Sequence, residues 1–241
     1  TFTETTFIED FETIVKISDT LFLTVPDDLI TTVWNQMKDM SLEGKFICHC
    51  SGALSAGDAF PGIDKCGAFG YSVHPLFAVS DKYNSYKELS HAYFVIEGDE
   101  KHREEIAGIF NNLGNEVRYI AAKDKVKYHC AAAVCSNHVV ALIQESLDLM
   151  QECGFDEESA LKALAPIMLG NMQHIAERGT VNSLTGPVER ADVKTVEKHL
   201  NCLDEKQQMI YRLLSEVLIS IGEKKNPGRD YGRLKHILGN E

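Results

Sequence analysis

The 241-residue sequence has no excess of basic charge: 24 Lys and Arg stand against 36 Asp and Glu, a formal net charge of −12. Such a balance repels phosphate backbones and anionic headgroups, which argues against nucleic acid and membrane surfaces as partners. No uninterrupted apolar run approaches the roughly 18 to 20 residues that span a bilayer, and the first residues show no leader pattern. There is no repeat and no low-complexity stretch. The 7 cysteines are odd in number and scattered through apolar segments. That speaks for reduced thiols in a cytoplasm rather than a disulfide framework. The spacings of Cys48, His49, Cys50, His74, His129, Cys130, Cys135 and His138 match no zinc pattern, so no metal is expected. A glycine-rich G-x-G-x-x-G turn, whose amides would hold a dinucleotide pyrophosphate, is also lacking.

What is present is an ordinary folded composition, 44% hydrophobic and 25% charged. Five apolar runs read as strands: 20–28, 44–54, 66–77, 91–99 and 115–122. Helical patterns lie between several of them, at 30–40 and from the fourth strand to about Leu113. Strands alternating with helices predict an α/β fold with a parallel sheet, in which ligands bind at the carboxyl ends of the strands. After about Lys123 the pattern is helical only. One long helix ending at Gly154 is expected, then one opening at Asp156 that Pro166 bends or breaks, then helices at 192–200 and 204–224 with an aspartate at each cap. The tail with Pro227 and Gly228 reads as peripheral. Two domains follow, 1–121 α/β and 122–241 all-α.

Several strand ends carry candidate chemistry. Val25, Pro26 and Asp27 follow the first strand, so they would line a cofactor crevice; Asp27 or Asp28 would equally serve as the cap of the next helix. Ser51 and Gly52 end the second strand, where a small residue lets backbone approach a ring or substrate. His74, before Pro75, ends the third and could donate to a carbonyl or carry a proton; it could also be a structural histidine. In "SLTGPVERAD" (183–192), Thr185 and Gly186 offer a hydroxyl and an amide, and Arg190 offers a fork suited to a carboxylate. This loop reads as a substrate clamp, with Asp192 capping the helix that follows.

In sequence, "VPDD", "HCSGAL", "GYSVHPLF", "YHCAAAVCSNH" and "LTGPVERAD" resemble an uncharacterised family. That family joins a Rossmann-like NAD(P)-binding domain to the domain of unknown function numbered 2520. It is similar to the group holding β-hydroxyacid dehydrogenases, pyrroline-carboxylate reductase and deazaflavin-dependent NADP reductases. The resemblance implies a helical domain like the C-terminal domain of 6-phosphogluconate dehydrogenase, a homodimer through it, and NADP or NAD as cofactor. It also implies a first strand, glycine-rich turn and helix: either roughly 40 to 50 residues precede Thr1, which is the expectation, or this protein has lost that unit.

In the β-hydroxyacid dehydrogenases the long helix carries a catalytic lysine with an asparagine four residues later. Laid on that pattern, Asn137 stands at the asparagine and Ala133 at the lysine. His129, one turn earlier on the same stripe and flanked by Tyr128, and Asn137 become the expected catalytic residues together with His74. The expected function is hydride transfer to or from a small anionic carbonyl or imine compound. The alternative, which Ala133 keeps open, is a non-catalytic protein that binds a nucleotide or metabolite.

Overall fold

β1 (Thr20–Leu23) is the edge of a five-stranded sheet ordered β1-β2-β3-β4-β5, with β2 at Phe46–His49, β3 at Phe69–Leu76, β4 at Tyr93–Gly98 and β5 at Val117–Tyr119. The computed structural model describes residues 5–79, 81 and 83–239, so the outermost residues of the two expected domains lie outside the described residues. All five strands fall inside the runs read from the sequence. The alternation that marks them is real packing: Leu21, Leu23 and Ile47 face one apolar cluster with Ile30, Trp34, Met37 and Phe60. Cys48, Tyr71, Val73, Phe94 and Ile96 face another. Helices α1 (Phe11–Ile17), α2 (Asp27–Met37) and α3 (Ala56–Ala59) supply the first cluster, and α4 (Arg103–Asn111) the second. A sheet covered on both faces is the usual setting for nearly continuous apolar strands.

The sheet is mostly parallel, as expected, with one antiparallel pair at β3–β4. β1, β2 and β3 run parallel, β4 runs antiparallel to β3, and β5 is parallel to β4 across α4. A parallel connection needs a crossover that carries the chain back along the sheet. Among the described residues between β3 and β4 the one element is a 3-10 turn at Ser85–His91, and the chain reverses. The reversal has a consequence for chemistry, because it places Glu97 beside Ser72 and Ser72 beside His49.

The long helix expected after Lys123 is two, α5 (Lys125–Cys135) and α6 (Asn137–Glu152), separated by Ser136 at φ −113 and ψ −73. The Ser136 hydroxyl donates to the Ala132 carbonyl at 2.8 Å, a back-bond that competes with the helical ladder. The stretch Ala122–Glu152 is long and apolar enough to cross a membrane by length and composition, with an 18-residue window of mean hydropathy 1.2 of which 6% is buried. This corrects the expectation that no segment reaches that length; polar residues interrupt the run without lowering its average enough. One such helix does not by itself place a chain in a bilayer.

By packing, the chain forms two compact units, residues 1–140 and 141–241. The secondary structure changes where the sequence suggests, after β5, while α5 packs with the sheet.

The second unit contains α7 (Glu157–Ser183), α8 (Val193–Cys202), α9 (Glu205–Lys225) and α10 (Gly232–Leu238). Asp156, Asp192 and Asp204 cap α7, α8 and α9 as expected, Asp204 in a reciprocal capping box with Gln207. α7 runs through Pro166 and leaves helical geometry at Gly179 instead (φ 74, ψ 171), a conformation glycine reaches without a Cβ penalty. The tail is not peripheral. Tyr231, Leu234 and Leu238 are buried against Val188, Val196, Leu200 and Ile219. Tyr231 packs so closely on α9 that a Cβ at Gly222 would come within 2.6 Å of its hydroxyl.

Candidate active site

The carboxyl ends of β1, β2 and β3 meet the start of α5. Three turns of chain converge there, and a lysine sits at their centre. Lys125 is 1% exposed. Its ammonium donates to the Ser51 carbonyl at 2.9 Å and to the Ser72 hydroxyl, and Ser72 in turn donates to the same carbonyl at 3.0 Å. Burial pulls its pKa down to about 8, against the opposing pull of the Glu97 and Asp27 carboxylates. No carboxylate among the described residues comes within ion-pair distance of it. A buried ammonium so weakly compensated costs several kcal/mol, in order of magnitude, relative to an apolar side chain.

Ser51 is the hub of the turn. Its hydroxyl donates to the Asp27 carboxylate at 2.6 Å and accepts from the Ala53 and Leu54 amides. Its own amide donates to Nδ1 of the buried His49 at 3.1 Å. Asp27 is therefore not the helix cap considered from sequence: Pro26 holds that position without a side-chain bond, and Asp27 opens α2. Burial first, then Lys125, lowers the His49 pKa to about 4, with Asp27 and the Ser55 backbone acting the other way. Glu97, which accepts from the Ala56 amide at 2.8 Å, has its pKa raised by burial, an effect the Ala56 bond and Lys125 oppose.

Beyond this buried network lies a cleft of about 670 Å³, lined by His74, Phe77, Tyr128, His129, Ala131–Ala133, Ser136 and Asn137 among others. His74 Nδ1 is 2.7 Å from the Tyr128 hydroxyl, and the His74 and His129 ring centroids are 6.2 Å apart. Gly52 floors the pair: a Cβ there would meet His129 Cδ2 at 2.6 Å and His74 Nε2 at 2.8 Å. Burial, then the positive charge of Lys125, then His129, lowers the His74 pKa to about 4, while Asp27 raises it. Burial raises that of Tyr128 to about 12. His74 is thus neutral at neutral pH, and its Nδ1 can accept the Tyr128 proton.

The structure brings together His74, His129, Asn137 and Gly52 of the expected residues, and sets Ser51 and Asp27 behind them, bonded to each other. Val25 and Pro26 follow β1 as read. Thr185, Gly186 and Arg190 belong to the second unit. There Gly186 (φ 100) turns the loop, Val188 is buried, and Glu189 is tied to Asn226 and Arg229 at 2.7 and 2.8 Å. Arg190 is exposed, and among the described residues its guanidinium makes no hydrogen bond or ion pair. Lys125 was missed. "KDKVKYH" reads as the solvated start of a helix, and the one available signal was its spacing: Tyr128 and His129 follow Lys125 by three and four residues, one turn along the same face. Among the described residues no group of three His, Cys, Asp or Glu side chains is placed to hold a metal.

The family described as "Domain of unknown function (DUF2520)" matches residues 92–218, more than half of the chain. The chain belongs to the DUF2520 family. None of the curated proteins matches it. Among solved structures it is similar to protein TM1727 of Thermotoga maritima, at 28% identity and a TM-score of 0.71 over 85% of this chain and 78% of that one. It is also similar to the pyrroline carboxylate reductase of Plasmodium falciparum with NADP bound (15% identity, TM-score 0.54, 88% and 80% of the two chains). The imine reductase of Myxococcus stipitatus in complex with NADP+ is a third (17%, 0.55, 96% and 84%). At such identities the last two show fold alone, a Rossmann-like α/β domain followed by helices. The DUF2520 chain thus has the fold of NAD(P)-dependent reductases.

Proposed function

We propose that this protein is an NAD(P)-dependent oxidoreductase transferring a hydride to or from a small anionic carbonyl or imine compound. The observation that carries the reading is the 2.7 Å contact of His74 with Tyr128 in the wall of the cleft, at the carboxyl edge of the sheet. A dinucleotide, when bound, supplies or takes the hydride. The residues present suit its nicotinamide and ribose end: Val25, Pro26 and the exposed Asp27 carboxylate at the end of β1, with Ser51 and Gly52 at the end of β2. They do not suit its phosphates on α2, whose first turn holds Asp27 and Asp28 and would repel an anion.

Within the site this chain's work is proton transfer. When a hydride leaves an alcohol or amine carbon, the substrate proton passes to the Tyr128 oxygen as the Tyr128 proton passes to His74 Nδ1. In reduction Tyr128 donates its proton to the substrate and regains one from solvent by way of His74, which rests neutral. His129 and Asn137, on the exposed cleft wall, orient the substrate oxygen or nitrogen. Within the second unit, Thr185, Gly186 and the exposed Arg190 are suited to holding an anionic group of a substrate. The partner set we propose is the small-molecule substrate and a second copy of the chain through the helical unit, in the cytoplasm, with no membrane or nucleic acid.

The test is oxidation or reduction of NADP(H) and NAD(H) with a panel of 2-keto acids, 2-hydroxy acids and cyclic imines. Turnover by the protein and its loss in Tyr128→Phe support the reading. The competing reading is binding without turnover, favoured by Ala133 standing in the cleft wall. Tight cofactor binding with no turnover on any member of the panel would put that reading first.

A further inference from the structure

Lys125 is a buried charged group that proton relay does not use directly. At 1% exposure it cannot touch a substrate. Replacing it by an apolar side chain would leave no polar atom stranded, because Ser72 already donates to the Ser51 carbonyl at 3.0 Å. Holding an ammonium there is costly, and strongly perturbed buried groups beside a cleft are candidates for function.

The geometry states what it touches. Through Ser51 the ammonium grips the turn whose next residue, Gly52, lies against the rings of His74 and His129. Through Ser72 it grips β3 two residues before His74, on the same face of the strand. Along α5, Tyr128 and His129 are its neighbours one turn on. One side chain thus ties together the three pieces that hold the Tyr128–His74 contact.

We propose that Lys125 is a positioning residue for that contact: its ammonium pins α5 to the ends of β2 and β3, and so sets the Tyr128 hydroxyl against His74 Nδ1 with a positive charge close to the imidazole. The relay it serves rests on the oxidoreductase reading above, but the charge state of His74 does not. The groups that act on His74 are Asp27 on α2 and Lys125 and His129 on α5 through their charges, and Tyr128 on α5 through its hydroxyl. Asp27 pulls towards protonation; burial, Lys125 and His129 oppose it and prevail.

The experiment is a pH titration of the histidine side-chain nitrogens by NMR in the native chain, without substrate or cofactor, with His74 assigned through His74→Gln. In the native protein His74 stays neutral down to about pH 5 and titrates near 4. In Lys125→Met the His74 midpoint rises by roughly one pH unit, of the order expected for a lost neighbouring charge. Ser72→Ala, which keeps the charge, leaves the midpoint low. If Lys125→Met does not fold, Lys125→Gln, which can still donate to the Ser51 carbonyl, gives the same comparison. A native His74 that titrates near the ordinary value of 6.5 overturns the proposal. So does a midpoint in Lys125→Met equal to that of the native protein, or one that rises as far in Ser72→Ala. Absence of turnover on every substrate would sink the oxidoreductase reading while leaving these titrations as they are.

Discussion

The Tyr128 hydroxyl and His74 Nδ1 stand 2.7 Å apart across the junction of a strand and a helix. Neither residue could hold the contact alone, since β3 aims one and α5 the other. Tyr128→Phe keeps the ring packing and removes the proton, so turnover on the true substrate should fall by about 10²-fold with little loss of stability. His74→Gln should fall similarly, and His129→Ala and Asn137→Ala by about as much if they orient the reacting atom. Steady-state kinetics on the four variants decides the order; an undiminished Tyr128→Phe would remove the relay.

Gly52 predicts a separate result. Its replacement by Ala puts a methyl 2.6 Å from His129 and 2.8 Å from His74, closer than atoms pack. Both rings can swing outward into the cleft, so the fold should survive while the Tyr128 contact is lost. Gly52→Ala should therefore cost about 10²-fold in turnover with a small change in melting temperature. A variant that melts normally and turns over normally would show that the contact is not needed.

The two depressed histidines set a pH dependence of stability. His49 and His74 titrate near 4 in the folded chain against an ordinary value of 6.5. Between those values the unfolded chain binds protons that the folded chain does not, so stability rises with pH across this window and is lost as pH falls from about 6.5 towards 4. Urea midpoints at pH 7 and pH 5 should differ in that direction, and the difference should shrink in His74→Gln. A midpoint that stays level over this range would contradict both assignments.

Arg190→Ala should raise KM more than it lowers kcat, because a guanidinium binding the unreacting end of a substrate stabilises ground and transition states alike. A pure loss of kcat would instead place Arg190 at the reacting atoms.

In the second unit Met209, Leu213 and Val217 form an i, i+4 apolar stripe on α9, exposed by 64%, 59% and 57%, and Leu169 and Met172 on α7 are exposed as well. Contiguous exposed apolar surface of this kind marks an interface. Sedimentation velocity at micromolar concentration should show a homodimer, and Leu213→Glu should shift it to monomer. A native monomer at that concentration would remove the dimer.

Much of the architecture is local and was legible. The five strands, the change to helices after β5, and the caps at Asp156, Asp192 and Asp204 depend on residue periodicity and on side chains bonding their own backbone, which sequence displays directly. His74, at a strand end, and His129 and Asn137, to which the resemblance pointed, line one cleft. Other features depend on partners far along the chain. β4 turns antiparallel where the described residues of the link from β3 form no crossover helix, and the alternation of apolar residues is the same for either direction. The tail is buried because Gly222 leaves room for Tyr231, a complementarity no local pattern carries. Lys125 is the clearest case: its sequence neighbours Lys123, Asp124 and Lys127 describe a solvated helix start, and only the convergence of Ser51, from 74 residues away, and Ser72, from 53, takes its ammonium out of water.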